Sequence, residues 1–554
     1  MPDGAAMEEG ERGERVDAES PTLIGRPDPA GARLSRAIAM GLWVLLGVLL
    51  VEVLFEGWLT TVLGTKHTDA GRAVVDPATW PKTLKSALYL AILALTGAKL
   101  TLDRRWGILR TKADVGLAVV GITMLAAAGY GGSSAVLAGE ALFVYFRGAI
   151  VFYALRALNP SPRLVRPLVW LVGSLIAVDA AIALWQQVVG YPSYRALGWV
   201  DMTWARIDRA HALLLHPNDL GHVTGLFLLG LLAYFAVRPR VARGWWLLFC
   251  LIAIGLAATQ SRESLIGVLA GGALIAVMRR GRYRRIALAL GLVVVIAAAP
   301  LAFSPSNRAE WNRRLAGLIH AFEVPSGAEP EQSSAPGASR GSGECAPSDT
   351  GCQADENSKK GREIRVLYYQ QGLRLWAHRP LFGYGLGTFG GIVAFRNNPD
   401  WNTDPRFGPG GFNKYGFNAK TVDSFWLHLL VETGALGLAA YLCWIYVLAA
   451  PFLRIARRHR GPPARAADPF VYWAPAALVF AVLIAFLSPS LEDPLFPPLL
   501  FSILGIAWLR LMHGDTMPPA ATAAAAAGEA SDTHPNPRPH SRTASTSVTG
   551  GQEA

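Results

Sequence analysis

The chain has 554 residues, of which 52% are hydrophobic, 57 are glycine and only 17% are charged, against roughly a quarter charged in a soluble protein. A string of soluble domains is excluded, because so few polar groups could not cover the apolar surface, while recurring runs of about 17 to 25 apolar residues can each cross a bilayer. The net charge of +12 sits largely in short loops between these runs, there is no zinc-type or RNA-binding signature, and four cysteines are too few for a disulfide scaffold.

In chain order, residues 1–32 are polar, acidic and rich in Pro and Gly, and read as a disordered cytoplasmic terminus without a cleavable signal peptide. About twelve apolar stretches follow, near 37–55, 84–100, 113–130, 137–157, 167–190, 218–237, 244–259, 263–278, 286–303, 424–449, 469–487 and 495–511. Nine of them fall within 33–303 and three within 424–511. Backbone polar groups must be satisfied inside lipid, so these should be helices, giving an all-α polytopic membrane protein. The loops holding Arg104, Arg105, Arg110 and Lys112; Arg238, Arg240 and Arg243; Arg279, Arg280, Arg282, Arg284 and Arg285; and Arg454, Arg457, Arg458, Arg460 and Arg465 all fall on one side. The positive-inside rule makes that side cytoplasmic, together with both termini.

The opposite face carries one large loop, 304–423. Its Ser/Gly/Pro-rich part, 325–361, reads as disordered; Cys345 and Cys352 lie there, and both a local bridge and two unpaired thiols fit. The part 362–421 contains Tyr368, Tyr369, Trp376, Phe382, Tyr384, Phe389 and Trp401 and suggests an ordered lid. The tail 512–554 is Ala/Pro/Ser/Thr-rich and reads as disordered and cytoplasmic.

Four segments on the lid side hold residues that could carry chemistry. Arg209 to His222 includes three histidines and a Pro217-Asn218 pair suited to a helix start, with Asn218 or Asp219 as the cap. The histidines have no metal-type spacing. Thr259-Gln-Ser261-Arg262-Glu263 forms a turn between two apolar runs, where an arginine beside hydrocarbon is either locally paired or functional. Arg365 to Phe389 is an amphipathic helix (363–377) running into a turn with Gly383, Gly385 and Gly387; no strand precedes these glycines, so a dinucleotide fingerprint is excluded. Asp423 to Leu438 includes His428, Glu432 and Gly434, and Asp423 could be a helix cap or a catalytic acid–base group. Glu52 and Glu56, four apart on one helix face, are a further carboxylate pair.

Together these segments resemble the O-antigen ligase/polymerase family of Wzy- and WaaL-type membrane glycosyltransferases. R-x-x-G-x-F-x-x-P-N corresponds to Arg209–Asn218 and T-x-S-R to Thr259–Arg262. The arginine-to-H-P-L-F-G-x-G-x-G-x-F block corresponds to Arg365–Phe389, and the block ending E-T-G-x-L-G-L to Asp423–Leu438. Ala212 and Leu214 depart from the usual Gly and Phe, Trp426 from Tyr, and Arg379 separates His378 from Pro380. Asp423 stands where the ligases carry histidine, which favours the polymerase branch.

The resemblance implies a GT-C-like fold in the bacterial inner membrane and transfer of glycan from a polyprenyl diphosphate to an acceptor hydroxyl at the external face. Another lipid-linked repeat unit is the acceptor for a polymerase, and a lipid or protein for a ligase. Such a site needs fixed positive charge for the diphosphate, which Arg209, Arg262 and Arg365 can supply in two-point fashion. It also needs a base, for which Asp423 is the candidate with His428 in reserve. No D-x-D pair is present, so no metal and no cofactor are expected. Flippase and chain-length regulator proteins are the partners such a system implies, and nucleic acid is not one. A transporter or flippase is the alternative of another class.

Overall fold

The computed structural model of the chain describes residues 29–67, 73–303, 312, 364–408, 411–412, 421–457 and 468–513. The segment 325–361 with Cys345 and Cys352, most of the N-terminal 32 residues and the tail beyond 513 lie outside the described residues.

The described chain is almost wholly helical. Five helices open it: α1 (Pro29–Gly64), α2 (Trp80–Leu102), α3 (Lys112–Gly131), α4 (Ala135–Leu158) and α5 (Pro162–Val189). Two short helices, α6 (Tyr191–Ala196) and α7 (Thr203–Arg206), lead to α8 (Pro217–Val237), α9 (Arg243–Thr259), α10 (Arg262–Met278) and α11 (Tyr283–Phe303). After the large loop come α12 (Ile364–His378), α13 (Ile392–Asn397), α14 (Phe425–Arg457), α15 (Pro469–Ile484) and α16 (Phe496–His513). A small antiparallel ribbon, Thr65–His67 with Ala73–Val75, links α1 and α2.

Each of the twelve apolar stretches falls on one of these helices, although α1 and α14 run well beyond the stretches 37–55 and 424–449. Among the described residues seven helices are long and apolar enough to cross a membrane, and three shorter apolar ones accompany them. The chain is therefore an all-α multi-pass membrane protein. Val115, Ile122, Val136, Leu247 and Leu288 are 62% to 76% exposed on the bundle's outside, where lipid rather than water is the matching solvent.

The hub is α8. Of its most apolar window 83% is buried, against 28% to 50% for the other long spans, and it packs on α5, α9, α10, α11, α15 and α16. Its N-terminus carries the first motif, so the most enclosed helix of the bundle also positions part of the site.

Side-chain contacts sort the connections into two ends. At one, Arg285 donates to the carbonyls of Phe235, Arg238 and Pro239, closing the C-terminus of α8. There Arg279 lies over Tyr472, Arg510 pairs with Asp468, and Arg156 pairs with Asp114 in the capping box that starts α3. This is the end of the basic loops. The other end gathers the α9–α10 turn, the segment 190–216, the α3–α4 turn, the α15–α16 turn and the folded part of the large loop.

That folded part has its own apolar core: Leu367, Tyr368, Leu375, Tyr384, Phe389, Trp401, Phe407 and Phe412, closed against Leu427 and Val431 of α14. Phe389 meets Trp401, Phe407 and Phe412 edge-on, the geometry aromatic rings prefer.

Candidate active site

The four motifs come together at the end opposite the basic loops. Arg209 is half-buried; its Nε donates to the Thr259 carbonyl at 2.8 Å and its Nη2 to Asn218 Oδ1 at 2.6 Å. The indole of Trp204 lies 5.5 Å under the guanidinium. The first motif is thereby locked to the second, with Ala210 N bonded to the Ala258 carbonyl at 3.0 Å. Arg262 is the first residue of α10, half-buried, beside Glu263.

The expected cap of α8 is corrected. His216, not Asn218 or Asp219, is the capping residue: its Nδ1 accepts from Asn218 N at 3.0 Å. Asn218 is thereby left to hold Arg209. The three histidines are engaged separately: His211 Nδ1 donates to the Leu214 carbonyl at 2.6 Å, and His222 Nε2 lies 3.7 Å from Glu263. Burial pushes His211 down to about 4 and His216 down to about 3, so both imidazoles are neutral at physiological pH.

Asp423 is not the cap of α14. Ser424 holds that position, its Oγ accepting from Leu427 N at 3.2 Å, the bond expected of an N-cap serine. Tyr369 braces Ser424 Oγ at 2.7 Å, and Phe425 N donates to the Ala485 carbonyl at 3.0 Å. Asp423 instead faces Arg365, whose Nη2 lies 3.4 Å from its Oδ2. Burial raises the Asp423 pKa above the ordinary carboxylate value, and Arg365 opposes the rise. The Asp423 side chain keeps 44% of its accessible surface, so solvent at the mouth moderates that rise. Glu263 and His428 act on the same carboxylate, and Arg209 and Arg365 both act on His216, which places residues from all four motifs in one electrostatic neighbourhood.

His428 is fully buried, and its Nδ1 donates to Glu492 Oε1 at 2.7 Å. Glu492 lies in the α15–α16 turn and escaped the sequence reading; no local pattern marks it, since its partner is 64 residues away. A Cβ at Gly391 would stand 2.6 Å from the Glu492 carboxylate, and one at Gly390 2.9 Å from the His428 ring. The pair thus holds the lid's backbone against α14. Glu52 and Glu56 separate in role: Glu56 takes Lys85 Nζ at 2.5 Å, while the buried Glu52 carboxylate has no hydrogen-bond partner among the described residues.

The glycine turn is no phosphate cradle. α14 is broken at Gly434 (φ 66°, ψ −170°), a backbone region open in practice to glycine alone. The groups freed by the break are taken up by the turn: Tyr384 N to Val431 O and Gly385 N to Glu432 O, both 2.9 Å, and Ala435 N to Pro380 O at 2.8 Å. Glu432 completes the junction, accepting from Phe389 N at 3.0 Å and from the Tyr145 hydroxyl at 2.9 Å. The departures from the family pattern also find places: Arg379 stacks over the Tyr384 ring at 4.8 Å, and the Trp426 indole donates to the Val482 carbonyl at 2.9 Å.

No curated protein matches the chain. Residues 246–442, from α9 to the middle of α14, match the O-antigen ligase family (Wzy_C). That stretch contains the T-x-S-R turn, the Arg365–Phe389 block and the Asp423–Leu438 block, whose side chains meet in the geometry above. This multi-pass membrane protein therefore carries, over residues 246–442 of its 554, a region similar to the O-antigen ligase family.

Proposed function

We propose that the chain is a polysaccharide polymerase of the bacterial inner membrane, with both termini cytoplasmic and the lid outside. It joins a glycan carried on polyprenyl diphosphate to a hydroxyl of a second lipid-linked repeat unit. The observation that carries this reading is Asp423: freed from capping by Ser424, partly exposed, and set against Arg365.

In the reaction the acceptor oxygen attacks the anomeric carbon of the donor, the bond from that carbon to the phosphate oxygen breaks, and the diphosphate leaves with the electron pair. Asp423 takes the hydroxyl proton. Arg209, Arg262 and Arg365 stabilise the charge that develops on the leaving diphosphate. His428, paired with Glu492, positions the lid behind Asp423. Metal-independent catalysis belongs to this proposal.

Purified protein in liposomes, supplied with lipid-linked repeat units, should lengthen them without a further acceptor. Extension seen only when a separate lipid or protein acceptor is added would make it a ligase, and movement of the lipid-linked glycan without joining would make it a flippase. Arg365→Lys should keep part of the turnover and Arg365→Ala should lose about ten- to a hundredfold, the worth of one charge-assisted hydrogen bond; wild-type chain lengths from the Ala variant at normal abundance would remove Arg365 from the site.

The orientation has its own test. In a background lacking the native cysteines, Leu381→Cys on the lid (58% exposed) should react with an impermeant maleimide from outside. Tyr283→Cys at the basic end (53% exposed) should react only after permeabilisation. Labelling of both from the same side would refute it.

A further inference from the structure

Beside the motif cluster lies a chamber of about 920 Å3, at the upper end of the range that small-molecule sites occupy. One wall comes from the candidate site: Trp204, Asp219 and Glu492. The other comes from α2 and α4, which carry none of the four motifs: Lys85, Tyr89 and Arg147.

Arg147 is the unusual member. It is 5% exposed, yet among the described residues its Nε and Nη2 have no hydrogen-bond partner, and the fully buried Tyr89 hydroxyl in the same wall has none either. Lys85, by contrast, is committed to both oxygens of Glu56 at 2.5 Å. Glu56, Glu492 and Asp493 supply negative field around Arg147, but no carboxylate occupies the two-point face that Nε and Nη2 present. A buried guanidinium donor without an acceptor is costly, and an ionisable residue within a spanning helix marks a working site by default. The fork of a guanidinium fits an anion with two acceptor oxygens.

We propose that this chamber receives the acceptor substrate and that Arg147 binds an oxyanion the acceptor carries, supplied by its carrier phosphate or by the carboxylate of an acidic sugar. The inference rests on the polymerase reading, in which two lipid-linked glycans must be held at once. Their like charges repel, so two separate cationic sites are required: Arg209, Arg262 and Arg365 serve the donor, and Arg147 the acceptor. Trp204, between the two regions, offers an aromatic face to the sugar.

The test is binding to the full chain in detergent, with farnesyl diphosphate and a glucuronic-acid oligosaccharide as probes, for wild type, Arg147→Gln and Arg147→Lys. If the carrier phosphate is the source, wild type binds farnesyl diphosphate at two classes of site, and Arg147→Gln loses one while keeping the other, which Arg365→Ala removes. If an acidic sugar is the source, Arg147→Gln binds diphosphate normally and the oligosaccharide at least tenfold more weakly. In either case Arg147→Lys, which retains the charge, recovers part of the affinity and controls for folding. Wild-type binding of both probes by Arg147→Gln, or no binding of either by wild type, overturns the proposal. Binding is read without turnover, so a wild type that binds as expected but never extends glycan would sink the polymerase reading alone.

Discussion

Asp423→Asn should lower turnover by roughly a hundredfold, the usual cost of losing a positioned base, while leaving the protein folded. The substitution keeps the shape of the side chain and removes only its proton affinity. Because Ser424 caps α14 and Asp423 does not, helix stability gives no reason for activity to change. The pH profile adds a second reading. A base must be deprotonated to act, and burial holds the Asp423 pKa above its ordinary value despite Arg365, so activity should rise with pH through that raised pKa. Arg365→Gln removes the opposing charge and should shift the acidic limb to higher pH still. Polymer of wild-type length from Asp423→Asn at wild-type abundance would end its candidacy. In that event His428→Gln becomes the informative variant, because the His428 imidazole is hydrogen-bonded to a carboxylate, Glu492, beside the site.

Gly434→Ala should abolish accumulation of folded protein. The backbone there (φ 66°, ψ −170°) lies where a side chain is strained, and a Cβ would stand 2.2 Å from the Leu381 carbonyl oxygen and 2.6 Å from Phe382 N. Both contacts are with backbone, which cannot rotate away. The strain alone costs about 1–3 kcal/mol, and relieving the clash requires the lid to part from the span, so the total should exceed ~4 kcal/mol, the exceptional range for one substitution. Gly383→Ala should behave alike, since its Cβ would meet the Val431 carbonyl oxygen at 2.4 Å. The contrast is Gly281→Ala, where nothing lies within 4 Å. Yields of the detergent-solubilised, monodisperse protein compare the three; normal yield of Gly434→Ala would mean the break in α14 is not held as described.

How much of this was readable in the chain depends on the range of each interaction. The spans are local: twenty or so apolar residues have one way to satisfy their backbone in lipid, and each expected stretch lies in a helix. The motif residues could be named from their spacing. Their partners could not. Whether Asp423 caps a helix turns on the competition with Ser424, its neighbour, and on Arg365, 58 residues away. The role of Glu492 depends on a fold that returns it to His428 across α14 and α15. The glycine run likewise looked like a loop signature in one dimension, and only the break at Gly434 explains why glycine is needed on both sides of the junction. Arg147 belonged to no motif; what distinguishes it is that two of its buried nitrogens have no hydrogen-bond partner among the described residues.

The broken helix has a mechanical consequence. The glycine turn shares backbone hydrogen bonds with both halves of α14, and Ser133 Oγ at the α3–α4 turn donates to the Leu386 carbonyl at 2.9 Å. At about 0.5–1.5 kcal/mol net for each bond, peeling this stretch off would consume much of a domain's ordinary stability. The turn is therefore a fixed hinge plate rather than a moving cover, and amides such as Tyr384, Gly385 and Ala435 should be among the slowest in the loop to exchange with solvent. If the proposed lipid-linked glycan is the substrate, this stretch stays in place as it enters, and the way in lies between the helices beside the plate.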